Sequence, residues 1–102
     1  MKKTKISPFD RNVAKHLHDP EFAASYYEEF AKAPVPLQLA ILRRLRGVSQ
    51  EDIAGRLHLK QAQISRLERE GSDHLLSTYE KVARTLHSKV MIVPDHFKVV
   101  PA

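Results

Sequence analysis

Apolar residues recur along this chain at helical spacing in five blocks, each bounded by a capping residue, a glycine or a proline. The first opens at Asp19-Pro20-Glu21. Asp19 can accept from the free amides of a first turn, Pro20 fits the first helical position, and Glu21 faces the positive end of the dipole. Phe22, Ala23, Tyr26, Tyr27 and Phe30 then share one face, until Ala33-Pro34-Val35-Pro36 breaks the run. A second helix is predicted from about Leu37, with Ala40, Ile41, Leu42 and Leu45 on its stripe and Gly47 past its end. Ser49 and Asp52 form a capping pair for a short third helix, whose Ile53, Ala54 and Leu57 make an inward face of two turns. The fourth runs from Lys60 or Gln61 to Arg69 or Glu70, with Ile64 and Leu67 inward and Gly71 beyond its end. Ser77-Thr78-Tyr79-Glu80 reads as a capping box opening the fifth, where Tyr79, Val82, Ala83 and Leu86 fall at i, i+3, i+4 and i+7.

After His87 the pattern changes. Val90, Met91, Ile92 and Val93, stopped by Pro94, read as one short strand. A lone strand leaves its amides and carbonyls unpaired, and the same segment of a second copy is the simplest partner, about a two-fold axis. The expected fold is all-α, five helices with one C-terminal strand pairing across a homodimer. Its divisions are a mobile basic arm at 1–18, an aromatic helix and proline-rich connection at 19–36, a helical domain at 37–88, and a dimerisation strand with tail at 89–102.

The chain has 102 residues, 42% hydrophobic, which suits one small domain. No apolar run approaches the ~18 residues that cross a bilayer, and the first lysines precede no apolar signal core, so a cytoplasmic location is expected. With no cysteine, neither a disulfide framework nor a thiolate zinc site is possible, and the core relies on apolar burial or on a second subunit. The net charge of +5 is unevenly placed. Residues 43–69 carry seven bases against three acids, whereas 70–102 carry four of each. A basic centre is compatible with nucleic acid, with an anionic surface or with solubility alone.

The short helix ending near Leu57, a three-residue connection and the helix from Gln61 have the spacing of a helix-turn-helix. Ala54 permits close crossing of the two helices, while Leu59 and Ile64 are expected to plug the angle between them. At 100° per residue with Gln61 as zero, Ser65 falls at about 40°, Arg69 at about 80°, Ala62 at about 100° and Arg66 at about 140°. That arc holds an amide, a hydroxyl, a methyl and guanidinium groups, with no acid among them. Such groups suit the major groove, where glutamine pairs with adenine, arginine with guanine, and alanine touches the thymine methyl.

Leu42-Arg43, Val48 to Ala54, Leu57, Leu59, Gln61 and Ile64 to Glu68 together resemble the XRE family, the Cro and repressor type of helix-turn-helix. The resemblance spans residues 37–94 and implies a lambda-repressor-like DNA-binding domain acting on double-stranded DNA with an inverted-repeat operator. It implies that Gln50 holds a phosphate and steadies Gln61, and that Lys60, Gln61, Ala62, Ser65 and Arg66 reach bases or phosphates. Arg43 and Glu68 resemble the family's internal salt bridge. Two positions depart from the family pattern. His58 stands where a turn glycine is usual, and Lys60 replaces the common Ser or Thr cap.

Leu59 to Ser65 also resembles the recognition helix of HipB-type antitoxins. Asp19-Pro20-Glu21-Phe22 with Tyr26 before the motif, and the terminal strand after it, look like a HigA-type antitoxin, which implies a cognate ribonuclease toxin and autorepression of its operon. Phe22, Tyr26, Tyr27 and Phe30 are candidates for binding such a partner, or equally for packing on the chain's own bundle. A free-standing XRE-type repressor and an adaptor that has lost DNA binding stay open as alternatives.

Nothing in the sequence points to catalysis. The glycines at 47, 55 and 71 are isolated rather than gathered in a phosphate loop, and no nucleophile motif is present. His16 and His18 lack further ligands at a set spacing, so no metal and no cofactor is expected. The aromatic helix carries Glu21, Glu28 and Glu29, which disfavours a membrane-surface role.

Overall fold

The core is assembled from the motif helices and the helix on each side of them. In the computed structural model, which describes residues 6–69 and 71–94, six helices follow one another: α1 Pro8–His16, α2 Pro20–Lys32, α3 Val35–Leu45, α4 Gln50–Leu57, α5 Gln61–Leu67 and α6 Leu76–Thr85. Leu39 of α3, Val48, Ile53 and Ala54 of α4, Ile64 and Leu67 of α5, and Tyr79, Val82, Ala83 and Leu86 around α6 form one buried cluster. Ile53, Ile64, Val82 and Leu86 are fully enclosed, each contributing roughly 1.5–3 kcal/mol by burial.

α1 was not expected. The sequence predicts an arm here, yet Ser7 caps the helix by accepting from the Asp10 amide at 3.1 Å, and Pro8 occupies the first turn. Asp10 is buried and meets the Arg44 guanidinium at 3.3 Å, which fastens α1 to α3. Pro8–His16 holds few apolar residues, and the ion pair that anchors it joins positions far apart in the sequence. Residues 1–5 of the arm and 95–102 of the tail lie outside the described residues.

α2 starts as the sequence requires, with Asp19 Oδ1 accepting from the Glu21 amide at 3.1 Å. α3 begins at Val35 rather than Leu37, because Pro36 is tolerated in a first turn that needs no donor. Its buried residues are Pro36 and Leu39, while Leu37 is exposed, so the apolar stripe is rotated from the one expected. α4 carries its reciprocal cap, Asp52 N–H to Ser49 Oγ at 3.0 Å and Ser49 N–H to Asp52 Oδ2 at 3.2 Å. It ends at His58, whose φ of 56° is left-handed, and the Leu59 amide then returns to the Ala54 carbonyl at 2.8 Å. Ile64 fills the angle between α4 and α5, but Leu59 remains 36% exposed and does not share that role.

α6 opens one residue before the expected capping box. The Thr78 and Tyr79 amides both reach the Leu75 carbonyl, at 3.0 and 3.3 Å, so Ser77 sits inside the first turn. Past α6, His87 turns the chain with φ 53°, the Ser88 amide bonds the Ala83 carbonyl at 2.9 Å, and Val90 packs against the core. Among the described residues no strand is formed, and within one chain Val90 to Val93 run as an irregular segment. Met91, Ile92 and Val93 are exposed.

Ala54 is 3% exposed where α4 crosses α5. Ala54→Leu should lower stability by ~1–3 kcal/mol through overpacking, measured by urea denaturation. A wild-type midpoint would show that the crossing has slack.

Candidate nucleic-acid interface

The candidate surface is built on α5, a helix too short to be stable alone. Ile64 and Leu67 fix its inner side in the core. Its start lacks a Ser or Thr cap, and Gln63 takes on part of that task, its Oε1 accepting from the Lys60 amide at 2.8 Å. The sequence reading overlooked this residue, although a glutamine at the third helical position is the outer half of a capping box.

With the inner side buried, Gln61, Ala62 and Arg66 are exposed and Ser65 is half-buried. Lys60 is exposed just before the helix. α5 ends at Leu67, so Arg69 lies beyond the helix, although its amide still reaches the Arg66 carbonyl at 3.2 Å. Its place on the predicted arc therefore does not follow from helical spacing. Lys60, Gln61, Ala62, Ser65 and Arg66 form one acid-free strip along a single element.

Beneath that strip runs a chain of hydrogen bonds linking α3, α4 and the end of α5. Arg43 donates to Glu68 from Nε at 2.6 Å and from Nη2 at 3.1 Å. Its Nη1 donates to the Val48 carbonyl at 2.9 Å. Glu68 Oε1 also accepts from Gln50 Nε2 at 2.9 Å, and Gln50 Oε1 accepts from Gln61 Nε2 at 2.6 Å. The Arg43 and Glu68 side chains are 14% and 6% exposed. The link from Glu68 to Gln50 was missed in the sequence, although Glu68 follows Gln61 by seven residues, close to two helical turns, and so returns to the same side.

The remaining candidates lie elsewhere. Tyr26, Tyr27 and Phe30 of α2, with Leu42 and Leu45 of α3 and Met91, line an apolar groove of about 670 Å³. Phe22 is outside that lining and stacks between His16 and Tyr26, at ring distances of 5.4 and 6.0 Å. α2 contributes no buried residue. Among the described residues, no cluster of acids, histidines or cysteines could hold a metal, and no helix is long and apolar enough to cross a membrane.

Residues 39–90 match the family model described as Helix-turn-helix. No curated protein and no solved structure matches the chain.

Removing one member of a shielded ion pair leaves the other charge without compensation. Glu68→Ala should cost about 3–5 kcal/mol, read by chemical denaturation. Glu29→Ala, which breaks the exposed pair with Lys32, should stay within ~0.5 kcal/mol. Equal effects would contradict the internal role of Glu68.

Proposed function

The chain belongs to the XRE-type helix-turn-helix family, and from that premise we propose that it is a sequence-specific repressor that reads the major groove with α5. The observation that carries this reading is the acid-free strip Lys60, Gln61, Ala62, Ser65 and Arg66, outward on a helix whose inner side is held in the core. Gln61 and Arg66 supply base contacts, Ala62 a methyl-sized apolar contact, and Lys60, Gln50, Ser65 and Arg69 contacts to phosphate or neighbouring bases.

The operator-bound form is a homodimer. Lys89 to Val93 make no backbone hydrogen bond to other described residues, and Met91, Ile92 and Val93 are apolar and exposed, which supports pairing with the same segment of a second copy. Such pairing places two α5 helices on one face of an inverted repeat, with centres about 34 Å apart.

A second reading, favoured by the apolar groove, adds an antitoxin role. Tyr26, Tyr27 and Phe30 would receive a segment of a cognate toxin, with Phe22 supporting them from behind. Co-expression with the product of the adjacent gene, followed by co-purification, tests this reading. A complex lost in Tyr27→Ala supports it, and separate elution rejects it.

Arg66→Ala should weaken binding to the selected operator by ~1–3 kcal/mol while sparing random DNA. Lys60→Ala should instead reduce the salt slope of log K by about one unit on both. Titrations at several salt concentrations separate the two effects, and equal losses from Arg66→Ala on both duplexes would reject its base contact. In sedimentation, the wild type should run as a dimer and Ile92→Pro as a monomer, since proline removes a donor from the middle of the pairing segment. A wild-type monomer at tens of micromolar would reject the strand pairing.

A further inference from the structure

Glutamine amides carry a donor at one end and an acceptor at the other, and in isolation either end can face a neighbour. In this chain the choice is made by Glu68. A carboxylate only accepts, so the Gln50 end that meets Glu68 at 2.9 Å has to be the NH2 group. The Gln50 oxygen is thereby turned toward α5, where it accepts from the Gln61 NH2 at 2.6 Å. Arg43 holds Glu68 from the other side with two hydrogen bonds, so the carboxylate cannot turn away. Orientation is passed from an ion pair through two amides to an exposed side chain.

We propose that Glu68 is a positioning residue for base selection: by fixing the polarity of Gln50 it makes Gln61 present one free N–H and one free carbonyl oxygen, a pattern that fits adenine and disfavours guanine. Adenine offers an acceptor at N7 beside a donor at N6, which matches that pair of groups. Guanine offers two acceptors, N7 and O6, so the Gln61 oxygen would oppose O6 while its second N–H is already committed to Gln50. An unlocked Gln61 could turn over and offer both N–H groups to guanine. This inference rests on the proposed reading of α5 as the helix in the major groove.

The test selects duplexes from a random library with the full-length wild type, Gln61→Ala, Glu68→Gln and Gln50→Met. The base position read by Gln61 is the one whose preference disappears in Gln61→Ala. At that position the wild type should favour adenine over guanine by about tenfold or more. Glu68→Gln and Gln50→Met should both bring the ratio to within about twofold there. Gln50→Met keeps the Arg43–Glu68 pair, so it reports on the lock even where Glu68→Gln fails to fold. If Glu68 were only structural, its loss would lower affinity for all duplexes alike and leave the ratio intact. That result, or a base other than adenine at the Gln61 position, overturns the proposal. A wild type that binds every duplex equally overturns the reading of α5 itself, and the proposal with it.

Discussion

Three donor contacts converge on the Glu68 carboxylate, two from Arg43 and one from Gln50, and the geometry of the motif depends on them. The pair is largely shielded from water, so its Coulombic attraction is offset by the cost of desolvating both ions, and net stability is not its main contribution. What it fixes is direction. Arg43 comes from α3, Gln50 starts α4, and Glu68 closes α5, so one carboxylate sets the relative positions of three helices. An apolar substitute could fill the same space without specifying which way Gln50 and Gln61 point.

The motif helices also need this external support. α4 has eight residues and α5 seven, both below the length at which a helix is stable in water alone. Burial of Ile53, Ala54, Ile64 and Leu67 holds them in the core, and the capping pair at Ser49 and Asp52 satisfies amides that so short a helix would otherwise expose in large proportion. The two large apolar side chains of α5, Ile64 and Leu67, both lie on its inner side. Its outer side is left free to carry polar groups whose positions are set from below.

The sequence made these central elements legible because their signals are local and redundant. Ser49 with Asp52, Ile53 with Ala54, and Tyr79 with Val82, Ala83 and Leu86 each combine a cap or a period with burial, and the structure places them accordingly. The periphery was less legible. α1 is held by Asp10 on Arg44, a contact between residues 34 positions apart that periodicity cannot reveal. On α3, neighbours approach from more than one direction, so several apolar residues competed for the inward face and Leu39 rather than Leu37 took it. The arc that includes Arg69 requires a helix extended beyond Leu67, where α5 stops. A regular projection fails where the element ends. The run Val90 to Val93 has strand composition, but composition cannot supply a neighbouring strand.

α3 is the element on which the separate parts of the molecule meet. Arg43 reaches inward to Glu68, Arg44 reaches Asp10 of α1, and Leu42 and Leu45 line the apolar groove with α2 and the C-terminal segment. The groove and the α5 strip share no residue, so occupation of one does not compete for the side chains of the other. They are nonetheless joined by one rigid helix, in which Leu42 and Arg43 are consecutive and point to different partners. A rotation of α3 large enough to admit a bulky side chain into the groove would also pull Arg43 against Glu68, and that carboxylate already holds Gln50. Packed interiors transmit such displacements rather than absorb them. The apolar groove and the Glu68 hydrogen bonds thus meet on neighbouring residues of α3.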